Sequence, residues 1–360
     1  MSVKTRTVHR IIDAHTHVFP RYAALAVEVM DRCGVECSVT LAWHDGFGEG
    51  LRRHIEAFGR HQGRFVVFGN VDFGRINERG FGRRAARQLA GDVKAGMRGL
   101  KVYKALGLEY RKSGGTLWRV NDPALFAIWE AAGAAGIPVL MHTADPISFW
   151  EPLNSMNMWN GVLRGEYAWW SYYRKGLPSR DELLAERNDL IARQRGTTFI
   201  CPHVGSKSEI LDAAAEDLDA LPNLYYDVSA RLDVMGRNPR RAANARKFII
   251  DYQDRILFGT DMIYDDTNVP TGMQAQCLYQ PGACPLDGAD PLARYVRTST
   301  EYFRSNLDFL AASGVQRRPP FKRTLQPFSV TNLHLPPDVL RKVLYSNARR
   351  LLGLGRPDNA

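Results

Sequence analysis

Short runs of apolar and β-branched residues recur along the chain, and segments with helical periodicity separate them. Each run begins with continuously apolar residues, which is typical of strands that are buried on both faces. The pattern predicts eight strands, at residues 10–19, 38–43, 65–73, 99–106, 138–146, 197–205, 223–230 and 255–262.

Several of the intervening segments carry the signals that start and stop helices. Residues 121–136 open with Asn-Asp-Pro and end in a glycine, and residues 179–196 open with a Ser-x-x-Glu capping box. Further helices are predicted near residues 290–311 and over residues 335–353. Strands that alternate with helices pair in parallel through right-handed crossovers. Eight such repeats predict an α/β fold, a (β/α)₈ TIM barrel that residues 1–360 form as one domain.

An open, doubly wound sheet is the alternative architecture, and it requires a glycine-rich phosphate loop after the first strand. The chain has HTHVFPRY at that position, which favours the barrel. Two long segments follow predicted strands 5 and 8: residues 147–178, which are rich in Trp and Tyr, and residues 263–334. Because both segments follow strand ends, we expect these two long loops to lie over the same mouth of the barrel.

The composition narrows the range of partners. The chain of 360 residues has 48 Lys and Arg against 38 Asp and Glu, a net charge of +10, but its basic residues are scattered and form no block of five. We therefore expect a small-molecule substrate, with a mild bias toward anions, and no nucleic acid. No stretch of 18 apolar residues occurs, so we expect no membrane span and no membrane partner.

The N-terminal residues and the cysteines indicate the cellular compartment in which we expect the protein. MSVKTRTVHR is not followed by a long apolar region, so no signal peptide is visible and we expect a cytoplasmic protein. The oligomeric state stays open, with a homo-oligomer as one option. Five cysteines at these spacings fit neither a disulfide framework nor a zinc knuckle and are expected to be free thiols: Cys33, Cys37, Cys201, Cys277 and Cys284.

Polar residues fall at the ends of the predicted strands, where TIM barrels carry their chemistry. In IIDAHTHVFP, His15 and His17 are two residues apart and so project from one face of strand 1, with Asp13 one step below them. One polar group ends each of strands 5, 6 and 8: His142, His203 and Asp261. Imidazoles and a carboxylate that converge in one volume suit a divalent cation, Zn²⁺ first, with Mn²⁺, Fe²⁺ and Co²⁺ as alternatives.

These strand-end residues resemble the pattern of the amidohydrolase superfamily, in particular its amidohydrolase-2 branch, which includes aminocarboxymuconate-semialdehyde decarboxylase and related metal-dependent hydrolases. The resemblance covers nearly the whole chain, in order, through IIDAHTH, GLKVYKA, PVLMHTADP, ICPHVG, ILFGTDM and LPPDVLRKVLYSNARRLLGL. These motifs are specific for the fold and the metal but weak for the substrate.

The resemblance implies a ligand set and a catalytic pair. The implied metal ligands are His15, His17, His142 and Asp261. The implied catalytic groups are Asp261, which accepts a proton, and His203, which polarises the substrate or shuttles a proton. Binuclear relatives use a carboxylated lysine on strand 4. Strand 4 of this chain carries Lys101 and Lys104 on opposite faces by alternation, so we expect only one, Lys101, to face inward, and we favour a single metal ion.

Two reactions fit these groups. The first is hydrolysis, in which metal-activated water attacks an ester, lactone or amide of a small, cyclic or sugar-like substrate. The alternative is metal-dependent, non-oxidative decarboxylation of a small aromatic or unsaturated acid. Many decarboxylases of the resembled branch replace the first histidine of the HxH pair with glutamate, and this chain keeps both, which favours the hydrolase. Candidate substrate-binding residues are Lys101, Tyr103, Arg231, Trp150 and His44.

Overall fold

In the part of the chain that the structure describes, one sheet of nine parallel strands forms, with helices between the strands. The computed structural model describes residues 10–165, 168–272, 290–317 and 329–355. The nine strands, in chain order, are β1 (Ile11–Val18), β2 (Val35–Leu41), β3 (Phe65–Gly69), β4 (Gly99–Val102), β5 (Val139–Met141), β6 (Phe199–Cys201), β7 (Leu224–Asp227), β8 (Ile256–Leu257) and β9 (Met262–Tyr264). A separate antiparallel pair consists of β10 (Val315–Arg317) and β11 (Ser329–Thr331).

Helices follow most strands, as parallel pairing requires. Those of the first half are α1 (Ala23–Cys33), α2 (Gly48–Gly59), α3 (Phe81–Lys94), α4 (Ala105–Leu108), α5 (Phe126–Ala134), α6 (Asn160–Arg164) and α7 (Arg180–Arg193). Those of the second half are α8 (Pro202–Gly205), α9 (Leu211–Ala220), α10 (Leu232–Met235), α11 (Pro239–Asp251), α12 (Asn268–Thr271), α13 (Pro291–Ala311), α14 (Pro337–Arg341) and α15 (Asn347–Leu351). A π-helical turn, Lys342–Ser346, joins the last two helices. Short 3₁₀ turns cover Pro20–Tyr22, Phe73–Arg75, Pro123–Leu125, Ile147–Phe149 and Ala168–Trp170.

The sheet closes on itself through an eighth barrel strand that is broken in two. β8 pairs with β7, and β9 pairs with β1 on the other side of the gap. Residues 258–261, between β8 and β9, still bond to β1: Ala14 N donates to Phe258 O at 2.9 Å, and Asp261 N donates to His15 O at 2.8 Å. The α/β barrel predicted from the strand–helix alternation is therefore confirmed, while predicted strand 8 (255–262) is interrupted.

β1 contains a bulge that matters for its histidines. Asp13 pairs with Ser38 of β2 and Thr16 pairs with Thr40, so β1 advances three residues where β2 advances two. One extra residue reverses the alternation of faces along a strand. Strict alternation would place Asp13 on the face of the two histidines, and that expectation is wrong for this strand.

The bulge turns Asp13 away from the barrel interior. Asp13 and Thr16 line a small void against α1, whereas Ala14 packs with the residues that fill the barrel. Asp13 accepts hydrogen bonds from Thr260 Oγ1 at 2.6 Å, from Thr260 N and from His15 N. It therefore fastens β1 to residues 258–261, and burial raises the pKa of its carboxyl to about 7 although these three donors oppose the rise.

The barrel interior is apolar at the end where the strands begin. Its core contains residues of β1, β2, β3, β5, β6 and β8 together with residues from the π-helical turn onward: Ile12, Ala14, Cys37, Val39, Leu41, Val66, Phe68, Leu140, Ile200, Leu257, Tyr345, Ala348 and Leu352. Because this end is filled and covered by α15, polar chemistry is confined to the opposite end of the strands.

Most predicted helices are present, and some predicted strands end early. Predicted helix 121–136 forms as a 3₁₀ turn and α5, predicted helix 290–311 forms as α13, and the capping box of predicted helix 179–196 is present at Ser179 and Glu182. Strand 4 ends at Val102 rather than at residue 106, and α4 follows with a kink. The residues beyond Val102 therefore do not follow strand alternation.

The described residues test the expectations of no membrane span and of free cysteines. None of the helices within the described ranges is long and apolar enough to cross a membrane. Among the described cysteines, Cys33, Cys37 and Cys201 are free thiols, while Cys277 and Cys284 lie outside the described residues. The assignment of residues 1–360 to one domain stays a prediction.

Candidate metal centre

Three of the predicted ligands meet where the barrel closes. His15 and His17 come from β1 and Asp261 from the break before β9, and one ligand atom of each lies within 4.8 Å of the others. Asp261 Oδ1 is 3.3 Å from His15 Nε2 and 3.4 Å from His17 Nε2. Gly259 permits this approach, because a Cβ at that position would lie 2.9 Å from the Cβ of His15.

The Nδ1 atoms of the histidines are tied to the protein, which leaves the Nε2 atoms directed at Asp261. His15 Nδ1 lies 2.8 Å from Asp227 Oδ2, and His17 Nδ1 lies 3.2 Å from Leu41 O. Both partners are acceptors, so each Nδ1 carries a proton and each Nε2 keeps its lone pair. This is the arrangement in which protein groups orient metal-binding imidazoles.

The protonation states suit metal binding. Burial lowers the pKa of His17 and of His142 to about 4. Burial and the charge of Arg231 lower the pKa of His203 well below its usual value. Burial alone would raise the pKa of Asp261, but the neighbouring histidines hold it well below its usual range. At neutral pH these imidazoles are uncharged and this carboxylate is ionised, as metal ligands must be.

The spacing of the three groups also fits a cation. Two ligands bound tetrahedrally to Zn²⁺ at about 2.0–2.1 Å are separated by roughly 3.3–3.4 Å, which follows from the tetrahedral angle. The two distances from Asp261 Oδ1 to the imidazole nitrogens, 3.3 and 3.4 Å, have this value. They are longer than an N–H···O hydrogen bond, which is typically 2.7–3.2 Å. The donor set and its spacing therefore fit a divalent metal ion.

His203 lies beside this group on a turn with left-handed backbone. Residues 203–206 all have φ near +60°, a conformation that costs an L-residue about 1–2 kcal/mol. The turn is held by Asp227, which accepts from His203 N at 3.0 Å, and by Arg187, which donates to Gly205 O at 2.6 Å. As a result the His203 ring lies 5.2 Å from the His15 ring, with Nε2 4.0 Å from Asp261 Oδ2.

His142 is placed next to His203 rather than within the group of three. Their ring centroids are 4.9 Å apart, but His142 Nε2 lies 3.1 Å from Ala144 O and 3.5 Å from Asp145 Oδ1. Asp145 is fully buried and also accepts from Lys104 Nζ at 2.5 Å. The role of His142 as a metal ligand therefore stays a prediction.

The predicted substrate-binding residues separate into two sets. Lys101, Tyr103 and His44 line one cavity of about 190 Å³ at the carboxyl ends of β2, β3 and β4. Arg231 is buried beside the His203 turn. Trp150 belongs to the loop after β5, where its indole N–H donates to Pro178 O at 3.0 Å and its ring packs on Tyr172.

Lys104 also turns toward the mouth, so the expectation that only one lysine faces inward is wrong. The reason is that strand 4 ends at Val102, before Lys104, and its alternation no longer applies. Lys104 Nζ pairs with Asp145 and lies 4.8 Å from the centre of the Trp170 ring. It thereby connects the strand ends to the Trp-rich loop.

The sequence analysis did not identify two carboxylates of the site. Asp227 ends β7 and accepts from His15 Nδ1, His203 N, Ser229 N and Ser229 Oγ. Asp145 follows β5 and holds the group formed by His142 and Lys104. The available signal was their position at strand ends, the same signal that marked the histidines.

The sequence as a whole matches a known family. A sequence model of the amidohydrolase family matches residues 12–354. A search of curated proteins found no significant match.

Solved structures show the same fold with low sequence identity. A dihydroxybenzoic acid decarboxylase from Polaromonas sp. JS666, with bound manganese and 2-nitroresorcinol, is 14% identical with a TM-score of 0.53, covering 97% of this chain and 98% of that one. A 4-oxalomesaconate hydratase from Rhodopseudomonas palustris is 15% identical with a TM-score of 0.51, covering 96% of each chain. A probable 2-pyrone-4,6-dicarboxylic acid hydrolase from Acinetobacter baumannii, with citric acid bound, is 12% identical with a TM-score of 0.50, covering 96% and 99%.

Proposed function

The chain belongs to the amidohydrolase family, and from that premise we propose that it is a metal-dependent hydrolase of a small ester, lactone or amide. The observation that carries the proposal is the trio of His15, His17 and Asp261, in which Asp261 Oδ1 lies 3.3 and 3.4 Å from the two imidazole nitrogens, the separation of neighbouring ligands around one ion. We propose Zn²⁺ as the ion, with His142 or His203 as a further ligand.

The bound ion supplies one part of the chemistry: it lowers the pKa of water toward neutrality and polarises an electrophilic carbon. The protein supplies the rest. Asp261 is ionised and lies at the centre of the group, so it accepts the proton that the attacking water releases.

His203 is placed to move a proton beside the proposed metal site. Its Nδ1 lies 2.9 Å from Ser229 O and 3.0 Å from Ser229 Oγ, and this anchoring fixes the direction of Nε2. The strained turn at residues 203–206 serves the same end, because strain at such positions persists only where the surroundings hold it. Because the Nδ1 proton is held by the Ser229 carbonyl, Nε2 keeps its lone pair and takes up a proton during the reaction.

The first experiment measures metal content and its consequence. Purified protein is analysed for bound metal, stripped with a chelator, reloaded with Zn²⁺ or Mn²⁺, and assayed against small esters and lactones. We expect about one ion per chain and hydrolysis that is lost on stripping and restored on reloading. His17→Asn should abolish metal binding, whereas the matched change His61→Asn, at a histidine outside the site, should not.

The products decide between hydrolysis and the related lyase reaction. Release of CO₂ from a carboxylated ring, without hydrolysis of any ester or lactone, would replace the hydrolase with a decarboxylase that uses the same residues. Activity that survives complete removal of metal would end the proposal in both forms.

A further inference from the structure

The cavity beside the metal group is lined by a buried lysine that has no role in the proposed hydrolysis. The cavity measures about 190 Å³ and is lined by residues that include His44, Asn70, Lys101, Tyr103 and Tyr110. Sites for drug-sized ligands usually measure 300–1,000 Å³. The cavity therefore takes a small molecule or one end of a larger one.

Lys101 is the unusual member of this lining. Its side chain is only 1% exposed, yet its ammonium forms no hydrogen bond or ion pair with any residue in the described ranges. Its Nζ lies 4.8 Å from the centre of the Tyr103 ring, and the carboxylates of Asp261 and Asp227 act on its charge without a hydrogen bond to it. A buried ammonium without a hydrogen-bonded counter-ion is costly, and an anion bound in the cavity would supply one.

Two other polar groups of the cavity are already occupied. The Asn70 amide donates to Ala42 O and Lys101 O and accepts from Gly46 N, and the Tyr103 hydroxyl donates to Ala42 O at 2.7 Å. These contacts hold the walls in place. The Lys101 ammonium is a buried donor that a ligand can still meet.

Other features of the cavity restrict the kind of ligand. Aromatic rings form much of the cavity wall, with Tyr103 held between Trp43 at 5.6 Å and His44 at 5.0 Å, and such a wall favours a planar or apolar body. Asp72 also lines the cavity, and it is only partly buried, so an anion is accepted at the Lys101 end alone.

The cavity and the metal group are close enough for one substrate to reach both. The Tyr103 ring, which lies against Lys101 Nζ, has its centre 6.1 Å from the centre of the His17 ring. A molecule of the size of one substituted ring spans this separation.

We propose that Lys101 forms an anion subsite that binds a carboxylate of a small planar substrate. This inference rests on the proposed hydrolase function, and it names a charged group of the substrate.

Binding of benzoate and of its neutral isostere benzamide tests the subsite. Both are titrated calorimetrically into the metal-stripped and the Zn²⁺-loaded protein, so that binding at the metal is separated from binding at Lys101. We expect benzoate to bind the metal-stripped protein at least tenfold more tightly than benzamide. Lys101→Met should remove this preference, and Lys94→Met, at an exposed lysine of α3 with the same change of charge, should retain it.

Two results would overturn the subsite. One is equal affinity for benzoate and benzamide in the metal-stripped wild type, a measurement that does not depend on the folding of any variant. The other is undiminished benzoate preference in folded Lys101→Met, which would leave the lysine as a counter-charge for Asp227 and Asp261 only. Metal content is measured separately, so failure of the subsite and failure of the metal-dependent function give different results.

Discussion

Asp227 provides the sharpest test of the metal centre, because it touches the proposed ligands without being one. It is completely buried, and its Oδ2 lies 2.8 Å from His15 Nδ1. Its Oδ1 accepts from the backbone N–H groups of His203 and Ser229, both at 3.0 Å. One carboxylate therefore holds the His15 imidazole directly and also holds the backbone of the turn that carries His203.

Asp227→Asn changes the proton on His15 while preserving the shape of the side chain. If the amide oxygen keeps the two backbone N–H groups, the NH₂ group faces His15 Nδ1 as a donor. His15 must then accept at Nδ1 and carry its proton on Nε2, the atom that faces Asp261. If the amide instead turns over, it loses both backbone hydrogen bonds.

The expected loss follows from either outcome. Replacing a group that orients a metal-binding histidine typically weakens metal affinity by 10–100-fold, which corresponds to about 1.4–2.7 kcal/mol. Competition with a chromophoric chelator for Zn²⁺ measures this change. Ser229→Ala removes only the hydroxyl near His15 and His203, so it should weaken Zn²⁺ affinity less than Asp227→Asn does.

The control is another buried carboxylate. Asp92 is 2% exposed and accepts from Gly48 N and Gln88 Nε2, far along the chain from the proposed ligands. Asp92→Asn should lower stability without changing metal affinity. Unchanged Zn²⁺ affinity in a folded Asp227→Asn protein would refute the assignment of His15 as a ligand.

Three further outcomes are expected. The melting temperature of the metal-stripped protein should fall as the pH drops from 6.5 to about 4. In this range His17 and His142 bind protons in the unfolded chain but stay neutral in the folded protein, because burial lowers their pKa to about 4. Asp145→Asn should lower the free energy of unfolding, measured with denaturant, by about 3 kcal/mol. The reason is that the Lys104 ammonium loses its carboxylate partner, while the lysine side chain is only 14% exposed. Gly259→Ala should weaken Zn²⁺ affinity, because the new Cβ crowds one ligand histidine at 2.9 Å.

Each of these outcomes has a contrasting measurement. A melting temperature that stays level or rises toward pH 4 would contradict the neutral state of the two histidines. Breaking the exposed pair of Lys247 and Asp251 should lower the free energy of unfolding far less than breaking the buried pair does, because solvent screens the exposed charges. Gly91→Ala, in α3 with open space around it, should stabilise by about 0.5–1 kcal/mol and leave metal affinity unchanged.

The sequence predicted the features that depend on local chemistry. Apolar runs separated by capped helices are local patterns, so the barrel, the capping box at Ser179 and α13 followed from them. The strand-end histidines were visible for the same reason. What the pattern could not show is which atoms of these side chains face one another, since that depends on partners more than 200 residues away, as Asp227 is from His15.

Irregular backbone accounts for most of what was missed. The bulge in β1 reversed the face expected for Asp13, and strand 4 ended before Lys104, so alternation failed at both positions. The turn at residues 203–206 has a left-handed backbone but only one glycine, so its sequence did not predict this conformation. The early end of strand 4 and the left-handed turn both lie at the carboxyl ends of strands, where regular pairing gives way to the geometry of the site.

The bulge in β1 and the break in strand 8 act together. The bulge brings His15 and His17 to the interior and leaves Asp13 outside, where it holds Thr260. The break then lets Asp261 adopt a positive φ and donate its N–H to His15 O, which directs its carboxylate at both histidines. The proposed ligands thus lie across the seam that closes the barrel. An ion bound there adds its binding free energy to that closure, because the unfolded chain has no such site.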